Sequence, residues 1–517
     1  MDVFKSIWEQ ALTTEPRPGL HPIPGSRPLT IEAAICPPLI YYIALLFLAP
    51  PPPKSSDSTA IKLLRNVLAL VAGTLFIRLP LVYHVPQSIG LTYQLGLVGI
   101  YGGCRVLDAF FISPYLFNHI PRRVHYKHVE RPSNPRSPSF QLTKQWSNGG
   151  LKDAFLGVSE TNGHVNGHTS SPSTKSSTSD NSTTPAANKT PRKPSFAAQA
   201  TSALSATFAG PTPTPVYETA HTEEHYPQTF LARASWALEL ELSMRGIGFT
   251  WTTADVRHTR KTWIPTLGNR LHSLGFSAGP VLLVSWAFIR RTYVTYLQQY
   301  EDLPWTDRYG LFDTLPMNTQ LLLTAALGAF LMAAFSAGHS MFAIMCHPLS
   351  PSPLSFFPPL YTTRVWEITS VRAFWSYGWH RLFARLFLVY GVWPGEWVER
   401  KLLGKGEDQS ADIGKVIGAF ASSAFVHAFS VRGVLNGEWR LAAGEARFFG
   451  LNGIAIVVEG VAIALVRKIR RRHGIEKGMW YDAWIGRVWW IGVLLWTGRN
   501  FARGWVAAGL TREMAFM

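Results

Sequence analysis

Ile417-Gly-Ala-Phe-Ala-Ser-Ser-Ala-Phe-Val-His-Ala-Phe-Ser430 is apolar enough for a bilayer, and it carries His427. An ionisable side chain at that depth is costly, so it marks function by default. The alternative is a structural hydrogen bond to Ser423, one turn earlier on the same helical face. Upstream lies Phe374-Trp-Ser-Tyr-Gly-Trp-His-Arg-Leu-Phe383, where aromatic and basic residues crowd together.

The rest of the chain suits that reading. Of 517 residues, 47% are hydrophobic and only 16% are charged, against about a quarter in soluble domains. Tryptophan is abundant, at 19 residues, and it favours the membrane–water interface. The net charge of +17 does not point to nucleic acid. The basic residues flank apolar runs instead of forming one patch, and no nucleic-acid motif is present. Cys36, Cys104 and Cys346 are far apart, which supports neither a disulfide framework nor a metal site.

Outward from His427, the apolar runs predict an all-α, polytopic membrane protein with about eight spans. They are Ile31–Ala49, Val67–Tyr83, Ile89–Phe117, Ser277–Tyr296, Thr319–Ile344, 413–431, Phe448–Val466 and Trp484–Phe501. The third is long, so tilt or a break at Gly102-Gly103 is expected. Arg290-Arg291 interrupts the fourth. His339 lies in the fifth, as a polar residue lining the bundle interior. Phe374 to Tyr390 reads as an amphipathic helix in the interface, with Arg372, Arg381 and Arg385 at helical spacing. Basic exits such as Pro121-Arg-Arg-Val-His-Tyr-Lys-His128 and Arg467-Lys-Ile-Arg-Arg-Arg-His473 place their loops in the cytoplasm and the N-terminus in the lumen.

Four regions follow. Residues 1–30 are polar, and 31–156 hold the first membrane helices and a basic loop. Residues 157–228 are rich in Ser, Thr, Pro and Asn, too poor in large apolar side chains to offset their ordering entropy. Two glycosylation sequons there, at Asn181 and Asn188, face the cytoplasm on this topology. Residues 229–517 form the main membrane domain. Near its start, Arg245-Gly-Ile-Gly-Phe-Thr-Trp251 suggests a tight backbone turn.

Three of these pieces resemble the membrane-bound O-acyltransferase superfamily, in particular its fungal wax-synthase-like branch, over about residues 230–505. Arg245–Trp251 looks like the branch's arginine–glycine signature. Phe374-Trp375 followed by Trp379-His380 looks like its FW…WH box, and Phe425-Val-His427 looks like the superfamily's intramembrane histidine. The sterol and diacylglycerol acyltransferases place asparagine after the corresponding tryptophan. His380 stands there in this chain, as in the wax-synthase branch.

The resemblance implies transfer of an acyl group from acyl-CoA to the hydroxyl of a hydrophobic acceptor. Acetyl-CoA and a secondary-metabolite alcohol such as a terpenoid come first, and a long-chain wax ester synthase acting on fatty alcohols is the alternative. It implies re-entrant or interfacial helices around a buried tunnel, multi-pass residence in the endoplasmic reticulum, and no bound cofactor. An alcohol attacks only if a base takes its proton, and a neutral histidine suits that task. His427 is the expected base. His380, Trp375, Trp379 or a backbone N–H could stabilise the oxyanion, with both tryptophans lining the substrate site. Arg372, Arg381 and Arg385 are candidates for the CoA phosphates. A transporter would instead show internal repeats, and none is visible. A non-catalytic membrane scaffold is the third alternative.

Overall fold

The computed structural model describes residues 15–17, 19–50, 58–128, 219–223, 225–251, 267–304, 307–346, 360–361, 365–475 and 478–516. Helices dominate: α1 (Ile31–Leu46), α2 (Thr59–Val82), α3 (Ile89–Leu107), α4 (Phe230–Leu242), α5 (Gly279–Thr292), α6 (Met317–Met345), α7 (Trp393–Leu403), α8 (Asp412–Arg432), α9 (Trp439–Arg472), α10 (Asp482–Ala507) and α11 (Leu510–Ala515). Strands β1 (Arg27–Pro28) and β2 (Tyr83–His84) pair in parallel. Strands β3 (Val124–His128) and β4 (Thr219–Glu223) pair antiparallel.

All eight predicted spans fall on helices. Among the described residues six stretches are long and apolar enough to cross a bilayer: Thr59–Val82, Ile89–Leu116, Arg270–Tyr300, Met317–Met345, Asp412–Arg432 and Trp439–Arg472. α1 is apolar but has only 16 residues. α10 has 26 residues and carries Arg487, Arg499 and Arg503. Large aliphatic side chains on the spans point outward, among them Leu63, Leu70, Leu283, Val284, Ile454 and Val458. That outer surface suits lipid, whereas in water so broad an apolar face would be unstable.

Several expectations need correction. The third span does not break at Gly102-Gly103. Both glycines are buried packing positions, where added Cβ atoms would meet Phe76 and Ile77. The helix instead widens into π-helical turns over Asp108–Leu116, around Pro114. Arg290-Arg291 does not interrupt the fourth span, because α5 passes through both residues. Their side chains are exposed, with the Arg290 guanidinium over the Trp286 ring, as snorkelling predicts. The low-complexity region, with its two sequons, lies largely outside the described residues. Its last part contains β4, which pairs with the basic exit strand β3. Residues 347–359, rich in proline and serine, likewise lie outside the described residues.

Two features fix the helices that carry the site. The N-terminus of α3 leaves orphan N–H groups. Ser88 caps Leu91 N–H, and the Glu513 carboxylate on α11 accepts from Ile89 N–H at 2.6 Å. The second is a crossing of glycines. Cβ atoms at Gly395 and Gly418 would lie 2.1 Å from the carbonyl oxygens of Gly414 and Gly391, respectively. The backbones before and along α7 therefore touch α8 directly, and only glycine permits it. Nearby, Glu399 accepts hydrogen bonds from Lys405 and from the Gly414 N–H.

Candidate active site

α8 turns His427 inward. Phe425, two residues earlier, is 57% exposed on the outer face, whereas the His427 side chain is only 12% exposed. Its predicted alternative partner, Ser423, does not hold it. The Tyr93 hydroxyl of α3 lies 2.6 Å from His427 Nδ1. The Phe449 ring stacks on the imidazole with centroids 4.2 Å apart and planes 24° apart. Glu445 Oε2 of α9 sits 3.9 Å from Nδ1. The other carboxylate oxygen, Oε1, accepts the Trp505 indole N–H at 2.8 Å, and Trp505 packs edge-on against Tyr93 at 4.5 Å. Nδ1 is thus occupied by polar neighbours, and Nε2 takes part in neither contact.

The second piece is the segment from Ser370 to Phe383. The predicted continuous helix Phe374–Tyr390 is not formed. A short turn at Val371–Ala373 leads into π-helical turns at Phe374–Gly378, and Trp379 is then extended, with φ −108° and ψ 159°. Helix resumes only at Ala384–Phe387. The break has a packing cause. Trp379 is drawn against Phe374 and Trp375, each 5.8 Å away, and against Tyr361 at 6.4 Å. Burial of these rings outweighs the local helical pattern. His380 follows among Trp379, Phe335 and Phe383, at 5.0, 5.0 and 6.0 Å. His380 lies outside the six spans. Burial first, and then the Arg245 charge, lower its pKa to about 3, so the ring is neutral.

One face of α9 holds both pieces. Glu445, Asn452 and Glu459 recur every seven residues and are all buried, so they share a stripe. Glu445 faces His427. Asn452 Oδ1 accepts the Trp375 indole N–H at 3.0 Å, and its amide donates to Thr497. Glu459 accepts Val371 N–H at 2.8 Å and Trp489 Nε1–H at 3.0 Å, so it holds the start of the 370–383 segment. Rings continue the link from His380 through Trp379, Trp375 and Phe449 to His427, with successive centroids 5.0, 5.8, 5.6 and 4.2 Å apart.

The structure therefore gathers His427, His380, Trp375 and Trp379. The three arginines diverge. Arg385 binds Asp108 through Nε at 2.7 Å and Nη2 at 3.1 Å, and it donates to Ser113. Arg381 donates to the Ser376 carbonyl at 3.3 Å. The Arg372 backbone N–H lies 3.4 Å from Glu459, and its guanidinium is within electrostatic reach of Asp412.

The Arg245–Trp251 stretch forms the expected turn, with Gly246 at φ 68° and Gly248 at φ 82°, values that favour glycine. Trp251 donates to Asp108 at 3.1 Å, which ties this turn to Arg385. Arg245 Nη2 reaches His339 Nε2 at 3.3 Å, so His339 does line the interior. Burial and the neighbouring Arg270 lower Arg245 to about 9. A cavity of about 20 Å³ lies between Arg105, Asp108, Gly246, Trp251, Arg385 and Tyr390. That is room for a water molecule.

Sequence reading missed Tyr93, Glu445, Asn452 and Glu459. Tyr93 had no signal, since it meets His427 from 334 residues away. The other three did have one, namely a seven-residue polar period running into an apolar span. Starting that span at Phe448 left Glu445 outside it.

Residues 357–451 match the family described as membrane bound O-acyl transferase, which takes in the 370–383 segment, His427 and Glu445. The chain is also 26% identical over 241 residues to a protein named acetyltransferase eriL from Hericium erinaceus. That match covers 44% of this chain and 56% of the relative, so the chain spans about half the length of the curated relative it matches. No solved structure matches.

Proposed function

We propose that the protein transfers an acyl group from acyl-CoA to the hydroxyl of a hydrophobic acceptor, with His427 as general base. The observation that carries this reading is the inward His427, whose Nδ1 lies 2.6 Å from the Tyr93 hydroxyl and whose Nε2 is left for substrate. As the acceptor oxygen attacks the thioester carbonyl, its proton passes to Nε2. The tetrahedral intermediate then collapses, the C–S bond breaks, and the CoA sulfur leaves with that proton. Ester and free CoA are the products. Base catalysis of this kind contributes about 10²–10⁴-fold.

The oxyanion needs a donor. The Trp375 N–H is already given to Asn452, which leaves His380 and Trp379 as the side-chain donors, beside a backbone N–H. His380 Nδ1 is buried and has no hydrogen-bond partner among the described residues, so it is our choice. The CoA phosphates would meet Arg372 and Arg381, which share a segment with His380. Arg385 is already held by Asp108. Acetyl-CoA is the preferred donor, supported by the relative's name. A terpenoid alcohol is the preferred acceptor, and the endoplasmic reticulum membrane the site of action. Acceptor could enter from lipid and CoA from the cytosolic face, through the tunnel that the family resemblance implies.

The test uses the purified full chain in lipid nanodiscs. Release of the CoA thiol is followed for acetyl-CoA and palmitoyl-CoA, each against farnesol, a cyclic diterpene alcohol and hexadecanol. Faster release with acetyl-CoA and a terpenoid supports the reading. Preference for palmitoyl-CoA and hexadecanol would make the protein a wax ester synthase, and no acceptor-dependent release with any pair would refute acyl transfer to these alcohols.

A further inference from the structure

We propose that Glu445 and Tyr93 are positioning residues that hold the His427 imidazole in the tautomer whose Nε2 is free to take a proton. The proposal rests on the reading of His427 as the base. A neutral imidazole has two tautomers, and they do opposite work. With the proton on Nε2, the ring offers substrate a donor and cannot act as a base. With the proton on Nδ1, Nε2 carries the lone pair that abstraction needs.

The neighbours of Nδ1 select between them. Glu445 is 1% exposed, and its Oε2 has no hydrogen-bond partner among the described residues. That oxygen faces Nδ1 from 3.9 Å, while Oε1 is anchored by Trp505. A buried carboxylate oxygen without a donor is costly. A proton on Nδ1 turns N–H toward it and toward the Tyr93 oxygen, and so lowers that cost. A proton on Nε2 would turn the Nδ1 lone pair toward Oε2, so that two acceptors face each other and Oε2 stays without a donor. The stacked Phe449 ring, on α9 one turn beyond Glu445, keeps the imidazole plane in this register. The same carboxylate offsets the charge that His427 acquires when it takes the acceptor's proton. Neither Glu445 nor Tyr93 touches the reacting atoms.

The experiment measures kcat and KM in nanodiscs, with the acyl-CoA and alcohol that the wild type turns over fastest in the panel above. The variants are E445Q, E445D, Y93F, H427A and H427A/E445Q. E445Q is expected to lose about 10²–10⁴-fold in kcat, the scale of a misplaced or absent base, with both KM values within about twofold. E445D restores part of that loss because the carboxylate returns. Y93F loses less, and its ring still packs on Trp505. In the H427A background E445Q costs nothing further, since there is no ring left to orient. Should E445Q not assemble, Y93F and Y93F in the H427A background give the same comparison. Wild-type kcat in E445Q, or a full additional loss in H427A/E445Q, overturns the proposal and leaves the His427 reading standing. Full activity of H427A removes the base assignment itself.

Discussion

Replacing Gly395 by alanine tests whether the contact between α7 and α8 sets the position of His427. An alanine Cβ would lie 2.1 Å from the Gly414 carbonyl oxygen and 3.0 Å from Gly418 Cα. Both neighbours are backbone, so no side chain can swing away. The chains must part by about 0.9 Å to restore even a 3.0 Å contact with that oxygen. Overpacking of this kind costs about 1–3 kcal/mol. Alanine in place of glycine within a helix returns about 0.5–1 kcal/mol. The expected net loss is therefore about 0–2.5 kcal/mol, near 1 kcal/mol at the middle of both ranges. Gly328→Ala on α6 is the control, since nothing lies within 4 Å of its Cβ, and it should gain slightly. The functional effect is larger. α8 carries His427 downstream of the contact, and a shift near 1 Å at a catalytic group costs on the order of 10²-fold in turnover. Thermal unfolding in detergent and CoA release in nanodiscs read the two effects. If Gly395→Ala unfolds with Gly328→Ala and turns over like wild type, the tight crossing does not position the site.

Two further expectations concern the polar anchors. Glu459→Leu strips the acceptor from Val371 N–H, Arg372 N–H and Trp489 Nε1–H. At about 0.6–1.7 kcal/mol per lost interhelical hydrogen bond, it should cost about 2–5 kcal/mol in detergent unfolding, and turnover should fall with it. Glu459→Gln should lie between that variant and wild type. His119, outside the spans, bonds Thr250 at 3.0 Å. Burial first, then Arg385, lower its pKa from 6.5 to about 4. The unfolded chain then binds more protons between those values, so stability falls as pH drops below 6.5, by about 2 kcal/mol at pH 5. His119→Gln should flatten that part of the stability profile measured from pH 7 to pH 5, and an unchanged slope would refute the assignment.

What was legible in the sequence was what local chemistry marks. An imidazole in an apolar run, aromatics beside arginine, and two glycines after Arg245 each carry their meaning within a few residues. The helices were legible because bilayer length and apolarity are local too. The break at Trp379 was not, because it depends on rings packed by other helices, including Trp490 against Phe374 at 5.5 Å. Nor was the fate of Arg385. Its spacing suggested an exposed basic face, but Asp108, far away in the chain, claims it. The seven-residue stripe of Glu445, Asn452 and Glu459 was present all along. Reading α9 as an apolar span drew attention away from its buried polar side.

The central claim is that His427 takes the acceptor's proton, and the direct measurement is acceptor-dependent CoA release by His427→Ala against wild type. Both proteins should be prepared in nanodiscs and matched for folded material by thermal unfolding. The account predicts a loss of about 10²–10⁴-fold in kcat with the fold retained. Wild-type turnover by a folded His427→Ala protein would contradict it.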